Sequence, residues 1–231
     1  MPDNTNICVP DAKKYELLQP KEYYLHNFRI VLDDILYILK STAPTAARQD
    51  ILRLHQIFLK DFYHWIALVI EVEFNKETYN VNYSLYPTLR ETFKLSDAGV
   101  DDVYKRHNNT GNMVIDKLID IQSWGNIYWK FLHYGSILTR EQKNVDTLMA
   151  FACVLRNLQI IIPCGECGEN YKKKNVFEKL ALPFVKPNGD PITAIFNLHN
   201  LVNAAPRRFG PIMFFSILQF ENLYQIKRIE N

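Results

Sequence analysis

Between Ile51 and Val69 the apolar residues Ile51, Leu54, Phe58, Phe62, Trp65 and Val69 recur every three or four positions, a spacing that an α-helix gathers onto one face. The same period runs through most of the chain. Residues 21–41 carry Tyr24, Phe28, Ile30, Val31, Ile35, Leu36 and Leu39 at helical intervals, with Pro20 placed where a first turn would begin. Pro44 opens the segment that contains Trp65. After a polar, aromatic stretch at 75–88, read as a loop, shorter helical patterns occupy about 88–95 and 98–106. Later patterns fall at about 113–122, 125–139, 141–161, 164–180, 191–204 and 211–226, punctuated by Pro183, Pro187-Asn188-Gly189 and Pro206. Strands do not alternate with helices, so a parallel sheet has no support. The predicted fold is an all-α helical bundle.

The turn-forming string His107-Asn108-Asn109-Thr110-Gly111-Asn112 divides this pattern, predicting an N-terminal helical region over 1–110 and a second domain over 111–231. With 48% hydrophobic residues, the chain can bury a substantial core. Charge excludes one broad class of partner. The 27 Lys+Arg and 25 Asp+Glu leave a formal charge of +2, without the basic excess that holding nucleic-acid phosphates demands. Nucleic acid is not an expected partner. Nor is a membrane: the longest apolar run, Trp65-Ile66-Ala67-Leu68-Val69-Ile70, falls well short of the roughly eighteen residues a spanning helix needs. The first fifteen residues are polar and broken by Pro2 and Pro10, unlike a secretory signal. Four cysteines (Cys8, Cys153, Cys164, Cys167) are too few for a secreted disulfide scaffold, so an intracellular setting is expected.

In that setting the stretch Ile160-Ile161-Ile162-Pro163-Cys164-Gly165-Glu166-Cys167 stands out, because a C-x-x-C serves a small number of chemistries. Haem attachment wants His immediately after the second cysteine, where Gly168 stands. Thioredoxin-like exchange places the motif between a strand and a helix, which the helical pattern denies. Structural zinc needs two more soft ligands, and only well-separated histidines such as His133 and His199 are on offer, leaving a zinc-stabilised module as a residual alternative. Dithiol exchange beside a flavin asks for cysteines at a helix N-terminus, where unpaired N–H groups and the helix dipole favour thiolate. Pro163 is placed to begin such a helix. It also asks for flat aromatic and imidazole groups to line the ring.

Those groups occur in two further clusters. Upstream, in Gly125-Asn126-Ile127-Tyr128-Trp129-Lys130-Phe131-Leu132-His133, Trp129 and His133 are four apart and share a helix face. Downstream, in Phe196-Asn197-Leu198-His199-Asn200-Leu201-Val202-Asn203, His199, Val202 and Asn203 project from one side. Taken alone, each histidine reads as an ordinary structural residue and Trp129 as core filling.

Together, in this order and at these spacings, the three clusters resemble the Erv/ALR family of FAD-dependent sulfhydryl oxidases over roughly residues 121–210. Gly125, Trp129, Leu132 and His133 match the family's G-R-x-x-W-x-x-L-H, with Asn126 in place of the arginine. Cys164, Cys167 and Tyr171 match its C-x-x-C and following aromatic. His199, Asn200, Val202 and Asn203 match its H-N-x-V-N, and Arg208 takes the place of a family lysine. The family's second, shuttle cysteine pair has no counterpart, since Cys8 and Cys153 are far apart. The long N-terminal half makes the chain most similar to the divergent branch found in baculoviruses and related large insect DNA viruses.

The resemblance implies a thiol oxidase that forms disulfides in substrate proteins and reduces oxygen to hydrogen peroxide. Cys164 and Cys167 would be catalytic, Cys164 meeting substrate thiols and Cys167 facing the flavin. Gly125, Trp129, His133, Tyr171, His199, Asn200, Val202, Asn203 and Arg208 would hold FAD, with Arg208 suited to its phosphates. It further implies a homodimer whose N-terminal half is a flavin-free copy of the bundle, acting in infected cytoplasm, nucleus or the virus particle. The competing class is a non-catalytic viral interaction protein that keeps the fold. Outside the motifs, Trp65 with its neighbours His55 and His64 is expected to pack between the two halves. Cys153 reads as a small buried hydrophobe, and Lys172-Lys173-Lys174 as a solvated helix face.

Overall fold

The computed structural model describes residues 15–41, 49–76, 86–95, 121–176, 178–179, 189–203 and 214–229. They form α1 (Lys21–Ser41), α2 (Gln49–Ile70), α3 (Tyr86–Thr92), α4 (Ile121–Glu141), α5 (Val145–Asn157), α6 (Gly165–Lys173), α7 (Pro191–Asn203) and α8 (Ile217–Tyr224). A 3₁₀ turn, Leu158–Ile160, follows α5. Two short strands, β1 (Tyr15–Leu17) and β2 (Ile226–Arg228), pair antiparallel. The architecture is all-α, as the periodicity requires. The expected turn at 107–112, the helical patterns at 98–106 and 113–122, and Cys8 and Arg208 lie outside the described residues.

Helix ends follow local chemistry. Asn144 caps α5 by accepting the Asp146 N–H at 2.8 Å. Asp190 accepts the Thr193 N–H at 3.0 Å, with Pro191 at the first helical position of α7. Ser216 and Gln219 form a reciprocal capping box that starts α8 six residues after the expected 211. Gln225 then takes a left-handed conformation (φ 52°) that ends α8 and turns the chain into β2. The β1–β2 pair is absent from the sequence expectations, which place β1 in a polar leader and β2 at the end of a helix.

Buried apolar residues form one continuous core drawn from both halves of the chain. Helix α1 packs along α4, α2 along α5, and α4 against α7. Trp65 sits at the centre of this arrangement, as expected. Its indole stacks on Phe151 (4.7 Å, 17°) and meets Phe131 and Phe28 edge-on, while Nε1 donates to Thr139 Oγ1 at 3.0 Å. A ring this large buried with its polar atom satisfied contributes both area and direction to the core. Gly135 on α4 makes that approach possible, since a Cβ there would lie 2.7 Å from Trp65 Cη2.

The N-terminal half carries its own polar anchor. Asp33 on α1 is fully buried, accepts the Tyr86 hydroxyl at 2.7 Å and lies 3.2 Å from Arg90 Nε, joining α3 to α1. Burial pushes the Asp33 carboxyl up, against the pull of its partners. Among the described residues no helix is long and apolar enough to cross a membrane.

Candidate functional site

Cys164 and Cys167 are joined by a disulfide at the start of α6. Gly165 begins the helix, two positions after Pro163, and Cys164 is its N-cap, with Sγ accepting the Cys167 N–H at 3.2 Å. The reason is geometric. An N-cap needs a side-chain acceptor, which Cys supplies and Pro does not. In the reduced state the same N–H and the helix dipole would favour thiolate at Cys164. Both cysteines are half-buried against the core edge, while the intervening Gly165 and Glu166 are exposed. The sulfurs therefore lie at the boundary between core and solvent.

Two phenol hydroxyls hold this motif in place. Tyr128 on α4 donates to the Ile161 carbonyl at 2.5 Å, just ahead of Pro163. Tyr171 on α6 donates to the Leu155 carbonyl of α5 at 2.6 Å. Burial raises the pKa of both phenols, so both stay neutral donors. The hydroxyl of Tyr171, expected at the cofactor, is thus spent on tying α6 to α5. Gly168, standing where haem attachment would need His, has a packing role instead: a Cβ there would lie 3.1 Å from the Gln159 carbonyl.

The upstream and downstream clusters meet across the α4–α7 contact. Trp129 and His199 stack face to face, with centroids 4.0 Å apart and planes 9° from parallel. His133 Nε2 lies 3.1 Å from His199 Nδ1. His133 is fully buried among Phe215, Phe220 and Tyr224, which the C-terminal segment contributes. Burial, and then the neighbouring His199, lower its pKa well below the ordinary imidazole value, so the ring is neutral.

Asn200 has a different task from the one expected. Its amide donates to the Phe215 carbonyl at 3.0 Å and accepts the Phe215 N–H at 2.8 Å. Both polar atoms clamp the C-terminal segment, and Phe215 in turn packs on His199 at 4.7 Å. Asn203 is buried at the end of α7, and Val202 is half-buried against the core. At Gly125 a Cβ would meet nothing within 4 Å, so this end of α4 borders open space.

Sequence reasoning missed Tyr128, Phe215 and Tyr224. Tyr128 sits inside the first motif, yet its partner is 33 positions away, and no periodicity announces that bond. The Ser216-x-x-Gln219 capping box was the available signal that Phe215 stands outside the helix, free to be held by Asn200.

Elsewhere, Cys153 is half-buried with its thiol pKa raised by burial, close to the small-hydrophobe reading. Lys172 and Lys173 are exposed at the end of α6. Among the described residues no three His, Cys, Asp or Glu side chains gather as a metal site would require. No family model, no curated protein and no solved structure matches the chain.

Proposed function

We propose that this protein is an FAD-dependent thiol oxidase of the Erv/ALR type, forming disulfides in substrate proteins with oxygen as electron acceptor. One observation carries the reading. The C-x-x-C disulfide is anchored through Tyr128 to the helix that bears Trp129 and His133, and those two rings engage His199 on α7. Helix α4 is thus linked both to the turn before the cysteines and to the third sequence element on α7.

The residues there fit a large flat heteroaromatic group. Trp129 and His199 stack on each other at 4.0 Å, and because both are only half-buried part of this aromatic pair is open to a ligand. Of the eight buried side-chain polar atoms without a hydrogen-bond partner among the described residues, Trp124 Nε1 and His133 Nδ1 lie on α4 and Gln159 Oε1 lies just ahead of the C-x-x-C. Natural cores pair most such atoms, so these three are groups that a bound molecule would satisfy. FAD held by Gly125, Trp129, His133, His199 and Asn203, with Arg208 for its phosphates, would take two electrons from the dithiol and deliver them to oxygen as hydrogen peroxide.

The protein's own chemistry is thiol–disulfide exchange. A substrate thiolate attacks Cys164 Sγ, the Cys164–Cys167 bond breaks, and Cys167 leaves as thiolate. A second substrate thiolate attacks the resulting mixed disulfide, and Cys164 leaves in its turn. The substrate gains one disulfide and the pair ends as two thiols. Position supports these roles, since the N-capping sulfur is the one that helix N–H groups stabilise as a leaving thiolate. Without a shuttle pair, substrates meet Cys164 directly. The same resemblance implies a homodimer acting in infected cytoplasm, nucleus or the virus particle.

The experiment is turnover of dithiothreitol by the purified protein, with peroxide measured alongside. Cys167→Ser is expected to abolish both while keeping the bound flavin. Retained turnover would overturn the electron path, and a colourless, zinc-containing protein would overturn the whole proposal.

A further inference from the structure

Residues 214–229 present one side to the bundle and the other to solvent. Phe220, Tyr224 and Ile226 are buried, whereas Phe214, Leu218 and Leu223 are exposed. Three rings of the segment lie on His133, with Tyr224 at 4.6 Å, Phe220 at 5.0 Å and Phe215 at 5.9 Å between centroids. Phe215 also lies 4.7 Å from the His199 ring. His133 is fully buried, so a molecule that reaches it from this side has to displace these rings.

The segment is fastened at its two ends. At one, the Asn200 amide exchanges two hydrogen bonds with the Phe215 backbone, at 3.0 and 2.8 Å. At the other, the Gln225 carbonyl accepts the Tyr24 hydroxyl at 2.5 Å and the Leu18 N–H at 2.9 Å, and β2 pairs with β1. Between these ends, the Ser216–Gln219 capping box and the bond from the Arg228 N–H to Glu221 Oε1 tie the segment to itself. Helix α4 packs along α1 and α7, whereas none of these three runs along α8. A helix of eight residues does not hold its shape alone in water, so α8 depends on the docking of its ends.

We propose that residues 214–229 are a strap that opens as one unit and gates the approach of a ring ligand to His133. Both fasteners and the helix between them let go together, as a sub-global unit that opens at lower cost than the bundle beneath it. Such a strap deepens the proposed function, on which the identity of the ligand rests. A flavin that contacts His133 enters and leaves only when the strap lifts, and the strap sets how slowly it exchanges.

The test pairs hydrogen exchange with diethylpyrocarbonate labelling of histidines in the full chain, both read peptide by peptide, with exposed His26 as the labelling control. In the wild-type protein, amides of 217–228 are expected to exchange through one common opening, ahead of those in the middle of α4, and His133 to be labelled no faster than that opening. Asn200→Ala cuts one fastener only. It is expected to speed exchange at the far end, 225–228, about as much as in α8, by about tenfold, and His133 labelling or flavin release with it. Loosening confined to the residues beside Phe215 would overturn the proposal. So would His133 labelling, or flavin release, that keeps its wild-type rate while the strap opens faster. Should Asn200→Ala fail to fold, the wild-type protein decides: strap amides that exchange only with α4 rule out a separate unit. A colourless protein with the coupled opening would sink the proposed function and leave the strap standing.

Discussion

Tyr128 on α4 and Ile161 in the turn ahead of the C-x-x-C are joined by a 2.5 Å hydrogen bond from phenol to carbonyl. The bond couples the C-x-x-C turn to the helix carrying Trp129 and His133, and both partners are buried. Tyr128→Phe would leave the Ile161 carbonyl without its phenol donor. The expected loss is about 1–3 kcal/mol, the usual cost of orphaning a buried polar group. Urea unfolding of the variant measures it, and a change within experimental error would show that the turn is held by other contacts.

Gly135 and Gly125 lie on the same helix and should respond in opposite ways. At Gly135 an added methyl strikes the Trp65 ring, which is itself wedged between Phe151 and Phe28, so Gly135→Ala is expected to cost about 1–3 kcal/mol. At Gly125 the methyl meets nothing, and Ala is the better helix former by about 1 kcal/mol. Gly125→Ala is therefore expected to raise the thermal midpoint. If that open space is where FAD comes close, the same variant should retain less flavin.

Asn200→Ala removes both bonds that clamp Phe215. Faster hydrogen exchange is expected across 214–229, with a stability loss of about 1–3 kcal/mol because the Phe215 amide groups are left to compete for water. Asn200→Asp keeps the acceptor and loses the donor, and should fall between. Exchange unchanged from wild type in the alanine variant would show that the clamp is dispensable.

Burial lowers the pKa of His133 well below 6.5 in the folded state, so the unfolded chain binds more protons as pH falls. Stability is then fully present above pH about 6.5 and declines below it, by up to roughly 1.4 kcal/mol per pH unit for one such group. His55, also lowered by burial, adds in the same direction. Chemical denaturation at pH 7 and pH 5.5 is expected to show a loss that shrinks by about 1 kcal/mol in His133→Gln. An equal loss in both proteins would mean that His133 takes up its proton without unfolding.

Local patterns carried most of the helical layout. Residues 21–41 were legible to the residue, because Pro20 marks the entry and the apolar face is unbroken. The α4 expectation, 125–139, fell inside Ile121–Glu141. The β1–β2 pair was not legible: each strand has three residues, and their partner lies some 210 positions away, beyond any periodic signal. The site divides along the same line. Trp129 and His133 share a face by spacing alone, but the His133–His199 contact spans 66 positions. Asn200 illustrates the remaining gap, since a motif names the residue and only the fold shows that its amide grips Phe215.

All of this turns on whether the protein binds a flavin that Cys167 can reduce. The direct measurement is the visible absorption spectrum of the purified protein, recorded without oxygen before and after dithiothreitol is added. A flavin band at about 450 nm that bleaches on reduction, and fails to bleach in Cys167→Ser, is the expected result. A colourless protein, or a band indifferent to the dithiol in the wild type, would contradict the account.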